Sequence, residues 1–136
     1  MIRMLQSYSH WDVSLHENQG YLGRCVVWCK RPDALDLPDV ENEEREELFA
    51  VLQQLKEALS KAFQPDWFNY AFFGNEVRHL HCHVVPRYAA DREFVGHVFR
   101  DERYGHSYRT DHAFAVPDET MEAIRETMAN ALKSVG

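Results

Sequence analysis

The chain has 136 residues, 45% of them hydrophobic and 27% charged, with a formal net charge of −7. That length and balance fit one folded domain, residues 1–136, and exclude a disordered chain. The acidic excess argues against nucleic acid, whose binders carry a basic footprint, yet leaves room for a small anionic ligand at a local positive site.

WDVSL (11 to 15) alternates Trp11, Val13 and Leu15 with polar residues, the pattern of a half-buried strand. HENQG then supplies turn chemistry, and LGRCVVWC (22 to 29) reads as the returning strand of a hairpin. Cys25 and Cys29 would lie about 13 Å apart on that strand, too far for a disulfide. With Cys82 they are read as buried free thiols in a reducing cytoplasm. KRPDALDLPD is a connection. From Asn42 to Phe63 the period becomes helical, with Leu48, Leu52, Leu55, Leu59 and Ala62 as the apolar stripe. The glutamates at 41, 43, 44, 46 and 47 read as a solvated helix start that suits the helix dipole. WFNYAFFG (67 to 74) is strand-like, and NEVR turns into HLHCHVVPR (79 to 87). Residues 87 to 117 have no clean period. DETMEAIRETMANALKSVG closes the chain as a helix, with Asp118 as N-cap and Met121, Ile124, Met128 and Leu132 as its stripe. Hairpin, helix, two strands and helix give an α+β domain, an antiparallel sheet with helices on one side. No apolar run approaches the roughly 18 residues that cross a bilayer. The start MIRMLQSYSHWDV has no long apolar region of a secretory signal, so a cytoplasmic protein with no membrane partner is expected.

The concentrated signal is His79, His81 and His83, three of the eight histidines within five positions. On a strand they face one side, while Leu80, Cys82 and Val84 face the other and pack. A single metal ion is poorly served, because the outer two Cβ atoms start about 13 Å apart while nitrogens on one zinc lie about 3–4 Å apart. Two of the three with His97, His106 or His112 would still make a metal site. Phosphate chemistry uses the row better. A neutral imidazole attacks phosphorus without a separate base, and its neighbours stabilise oxygens or deliver a proton. Gly74 and Asn75 just before the triad, and Arg78 and Arg87 flanking it, suit an extended phosphate. The unpatterned segment adds His97, His106, His112, Arg100, Arg103 and Arg109 as loop residues within possible reach of the site. The bland alternative is a row of histidines tolerated on a solvent-facing sheet. Trp11, Trp28, Trp67 and Phe72 read as core.

HLHCHVVPR resembles the signature of the histidine triad (HIT) nucleotide hydrolases and transferases, His-φ-His-φ-His-φ-φ with φ apolar. LGRCVVWCKRP resembles that family's preceding strand, and the helix and strand between fall in its order, so the resemblance covers about residues 11 to 88. KRP and VVPR lean toward the fragile-histidine-triad branch, which cleaves dinucleoside polyphosphates. The resemblance implies a sheet of about five strands with two main helices, pairing into a homodimer. It implies a nucleotide as the small-molecule substrate and a nucleotidyl-histidine intermediate formed by His81. His83 would contact the α-phosphate and help the leaving group depart, His79 would support them, Gly74 and Asn75 would contact phosphate, and Asn18 would lie near the ribose. It implies no tightly bound metal, with magnesium entering only alongside a polyphosphate. Alternatives are phosphoramidate hydrolysis, nucleotide binding with weak or lost catalysis, and metal binding. Two departures stand out: Arg24 replaces the family's fourth histidine, and Glu76 stands where a serine or threonine is common.

Overall fold

The computed structural model describes residues 2–136. Its strands are β1 (Arg3–Ser7), β2 (Trp11–Leu15), β3 (Cys25–Cys29), β4 (Trp67–Ala71) and β5 (His81–Arg87), and its helices are α1 (Asn42–Phe63) and α2 (Asp118–Val135). The five strands form one antiparallel sheet in the order β1-β2-β3-β5-β4. A separate short hairpin pairs β6 (Arg92–Phe94) with β7 (His97–Phe99). The fold is the expected α+β sheet with two helices.

Period-two alternation divides the sheet into two faces. Trp11, Val13 and Leu15 of β2, Cys25, Val27 and Cys29 of β3, and Cys82 and Val84 of β5 are buried in one cluster with Leu48, Leu55, Ile124 and Met128 of the helices. All three cysteines are free and buried. On the other face Trp28 stands opposite His81 and Val26 opposite His83. This second face carries the site.

Several readings shift in detail. β1 has no counterpart in the sequence analysis: it is an edge strand with a bulge between Met4 and Gln6, so no clean alternation marks it. The strand after α1 ends at Ala71 rather than at 74. Pro117, not Asp118, is the N-cap of α2, and Asp118 is its first helical residue. The glutamate run is more than a solvated helix start. Glu44 is buried, its carboxylate takes the Arg31 guanidinium at 2.9 Å, and it closes a capping box with Glu41. Hydrogen bonds from Arg31 and the backbone outweigh burial and hold Glu44 well below the usual carboxylate range, at about 2. Glu47 accepts the His10 backbone N–H. These bonds tie the start of α1 to the connection after β3 and to the start of β2.

Candidate active site

β5 begins at His81, so His79 precedes the strand rather than lying on it. The backbone there begins to leave the ladder with β3: Leu80 O still accepts the Cys29 N–H at 3.1 Å, but Leu80 N–H donates to Ala34 O at 3.0 Å, in the connection that follows β3. His79 is nevertheless held beside its partners. Its Nε2 donates to Cys29 O at 2.6 Å, and its ring stacks on Trp28 with centroids 4.2 Å apart. Trp28 also stacks on His81 at 5.5 Å. Trp28 is therefore not core; at 37% exposure it is the floor on which two triad imidazoles lie. Trp67 is likewise exposed, at the free edge of the sheet, while Trp11 is core as expected.

Carbonyl oxygens only accept, so the neighbours of each ring decide its neutral tautomer. His81 is 8% exposed, and its Nδ1 donates to His79 O at 2.5 Å. The neutral ring then carries its lone pair on Nε2. His83 is the opposite: its Nδ1 lies 3.3 Å from Arg24 Nη2, a pure donor, so the neutral ring carries its proton on Nε2. The two rings meet edge to face with centroids 5.1 Å apart. The two neighbouring rings thus offer one bare nitrogen and one N–H donor.

His16 was not singled out by the sequence reasoning, and the structure brings it to the site. Its ring lies 5.5 Å from that of His83, and its Nδ1 accepts the Asn18 N–H at 2.9 Å. A signal for it existed. Trp11, Val13 and Leu15 point into the core, so even-numbered residues of that strand, continued to His16, point to the triad side. Burial, then the nearby Arg24 charge, lowers both His16 and His83 to about 4. Both are neutral at physiological pH.

Arg24 is 4% exposed and sits immediately after Gly23, whose φ is +90° and where a Cβ would stand 2.6 Å from Leu59 Cδ2. Only glycine gives the chain that approach, and it delivers Arg24 to the outer face. There Arg24 Nη1 donates to Thr110 Oγ1 at 2.8 Å, and the guanidinium lies 5.1 Å from the Tyr108 ring centroid. Its Nε is buried without a partner. The patternless segment is thereby explained: residues 109–111 form a wall pinned to the β2–β3 connection. Asn18 Nδ2 donates to Asp111 O at 2.8 Å, and Arg109 N–H donates to Tyr21 Oη at 2.9 Å. Asn18 Oδ1 accepts the Gly20 N–H, so both polar atoms of Asn18 serve the fold.

A cavity of about 560 Å³ opens beside these groups, lined among others by His16, Asn18, Arg24, Glu76, His83 and His112. Of the loop histidines, His112 reaches it; His106 lines a different depression with Trp67 and Arg87, and His97 lies on β7. Arg87 turns into an ion pair with Asp101, Arg100 pairs with Asp91, and Arg103 Nε donates to Ser107 O. Arg78 is exposed. Gly74, at φ +68°, and Asn75 lie in the open loop before the triad, Asn75 exposed. Among the described residues no three His, Cys, Asp or Glu side chains converge to hold a metal ion.

This fold and this histidine row define a histidine-triad protein. The HIT domain model matches residues 15–90, more than half of the chain, and the chain belongs to that family. Solved structures agree on the fold. A histidine triad protein from Bradyrhizobium japonicum superposes with TM-score 0.75 at 18% identity, covering 96% of this chain and 90% of that one. One from Marinobacter aquaeolei VT8 gives 0.73 at 19%, covering 99% and 91%. A zinc-bound histidine triad family protein from Mycobacterium smegmatis gives 0.65 at 22%, covering 97% and 84%. No curated protein matches the chain. No helix is long and apolar enough to cross a membrane among the described residues.

Proposed function

We propose that the chain is a nucleotide hydrolase or nucleotidyl transferase acting at an α-phosphate, with dinucleoside polyphosphates as the favoured substrates. The observation that carries this reading is the pairing of His81 and His83. His81 holds its Nδ1 proton on a carbonyl, which leaves Nε2 as the nucleophile, and His83 presents a donor 5.1 Å away, centroid to centroid. In the proposed reaction Nε2 of His81 bonds to the α-phosphorus as the bond to the leaving group breaks. Water then attacks the phosphorus, the N–P electron pair returns to Nε2, and the proton lost by water passes to solvent. His83 Nε2–H and the Arg24 charge face the developing negative charge on the phosphoryl oxygens. His79 braces His81 through its carbonyl and through Trp28. Gly74 and Asn75 offer backbone and amide donors from the loop, and Asn18 acts on the nucleoside side as a wall holder.

The test is AMP release from a diadenosine polyphosphate and, separately, from an adenosine phosphoramidate, each beside His81→Ala. Release by wild type alone supports the enzyme. Binding of AMP without release by either protein supports a nucleotide-binding protein with weak or lost catalysis, the reading favoured by Glu76, a carboxylate lining the same cavity as His83 and Arg24.

We also propose a homodimer. β4 is an unpaired sheet edge. Beside it runs an apolar groove of about 1150 Å³ lined by Leu37, Val40, Leu48, Phe49, Tyr70 and Phe72. A second copy pairing along β4 would cover both. Phe49→Glu is expected to convert a dimer to a monomer in sedimentation; a wild-type monomer overturns the assignment.

A further inference from the structure

The buried guanidinium at the centre of the site has a consequence for which bonds the site can break. Among the described residues Arg24 has no carboxylate partner: its ring of contacts is Thr110 Oγ1, His83 Nδ1 and the Tyr108 face. The groups that face His83 come from every side. His16 approaches from just after β2, Arg24 from just before β3 and His81 from its own strand. On β4 its partner is Ala71, which does not titrate. Glu76, Glu17 and Asp118 line the same cavity, as do Arg3 and His112, but none of them hydrogen-bonds or ion-pairs with His83. The nearest groups are thus a fixed cation and two imidazoles, with no anion to stabilise an imidazolium. A guanidinium cannot accept a proton from its neighbour, so protonating His83 at Nδ1 would set N–H against N–H at 3.3 Å.

We infer that Arg24 is a positioning residue that holds His83 as a neutral Nε2–H donor, so that the site expels leaving groups that depart without taking a proton. The inference rests on the reading of His81 as the nucleophile. In an anhydride the P–O bond breaks and its electron pair stays on a phosphate oxygen, which is stable as the anion at neutral pH. In a phosphoramidate the P–N bond breaks, and the nitrogen must gain a proton because an amide anion is too basic to leave. A neutral imidazole donates a hydrogen bond but is a poor source of that proton, whereas an imidazolium is a good one. The low value of His83, about 4, agrees with the geometry. Burial also lowers Arg24 from its ordinary value, but a guanidinium keeps its proton in proteins at neutral pH, so the charge persists.

The first measurement needs no variant and no turnover: ¹⁵N and ¹H spectra of the histidines of the full chain, from pH 8 to pH 5.5. The expected result is His83 with its proton on Nε2 and no titration across that range. A proton on Nδ1, or titration near the ordinary value of about 6.5, overturns the inference whatever the enzyme does. The second measurement compares kcat/KM for diadenosine triphosphate and adenosine phosphoramidate in wild type and in Arg24→Gln, which removes the charge and keeps a polar side chain with N–H donors. Wild type is expected to favour the anhydride by about 100-fold or more, the scale of general acid catalysis. In Arg24→Gln, His83 is expected to titrate within the range and the preference to shrink by about tenfold or more. An equal preference in the two proteins overturns the leaving-group assignment. Loss of turnover on both substrates in wild type, with His83 neutral and protonated on Nε2, overturns the nucleophile reading instead and leaves the positioning of His83 supported.

Discussion

Two arginines are buried on the outer face of the sheet, and they are handled in opposite ways. Arg87 is 3% exposed and fully answered: Asp101 takes Nε at 2.7 Å, Asn69 Oδ1 and His106 O take Nη1, and Arg103 O takes Nη2. Arg24 has one hydroxyl, one imidazole and an orphaned Nε. Each lies 5.1 Å from a tyrosine centroid, Tyr21 for Arg87 and Tyr108 for Arg24. Each also pins part of the 100–114 segment onto the sheet. A buried ion must be compensated, and evolution of a stable wall would be served by the Arg87 solution in both places. The uncompensated cation stands beside the histidines and the cavity. A phosphate arriving there meets a charge already desolvated and not committed to a carboxylate.

The largest expected effect separates chemistry from architecture. His81→Gly should lower turnover by roughly 10⁴-fold or more, since no other group replaces a covalent nucleophile, while nucleotide binding by calorimetry survives. Turnover near wild type would remove His81 from the mechanism. Next comes the architectural arginine. Asp101→Asn leaves Arg87 buried without its anion and should cost on the order of 3–5 kcal/mol in denaturant unfolding. Its pH dependence has a definite sign. Burial pushes the Asp101 carboxyl up, but the Arg87 bonds and the Tyr88 and Arg103 N–H groups outweigh it and hold it below its usual value. The stability it contributes is present above the unfolded value of about 3.9 and is lost as pH falls through the lower folded value. The gap between wild type and variant should therefore close in acid; a gap unchanged at pH 3 would break the assignment.

Arg24→Met sharpens the comparison, because no carboxylate is left behind. It removes a desolvated charge and leaves only Thr110 and His83 without that donor, so its stability should change by about 1 kcal/mol or less. A loss as large as that of Asp101→Asn would make the two arginines alike. The smallest effect tests the faces of β5. Cys82 is wholly buried, and burial pushes its thiol up to about 12. Cys82→Ala should cost about 1 kcal/mol and leave kcat/KM nearly unchanged; a selective fall in rate would mean that Cys82 faces the site.

Much of this was legible in the order of residues alone. The period of α1 and the stripe Met121, Ile124, Met128 and Leu132 follow from where apolar side chains recur, a local property that burial then exploits. The alternation Leu80, Cys82, Val84 against His81 and His83 predicts two faces because successive residues on a strand point opposite ways. Other features depend on which strands become neighbours. Placing β3 between β2 and β5 sets Trp28 across from His81 and carries His16 to the side of His83, pairings between residues 53 and 67 positions apart in the chain. The edge position of β1, the burial of Glu44 against Arg31, and the pinning of 109–111 by the β2–β3 connection are long-range in the same way. Local periodicity determined both helices, the strands β2 to β5 and the histidine row, but not β1 or the β6–β7 hairpin. The charge state of His83 was decided only by the fold, since it depends on Arg24 arriving from the β2–β3 connection without a carboxylate of its own.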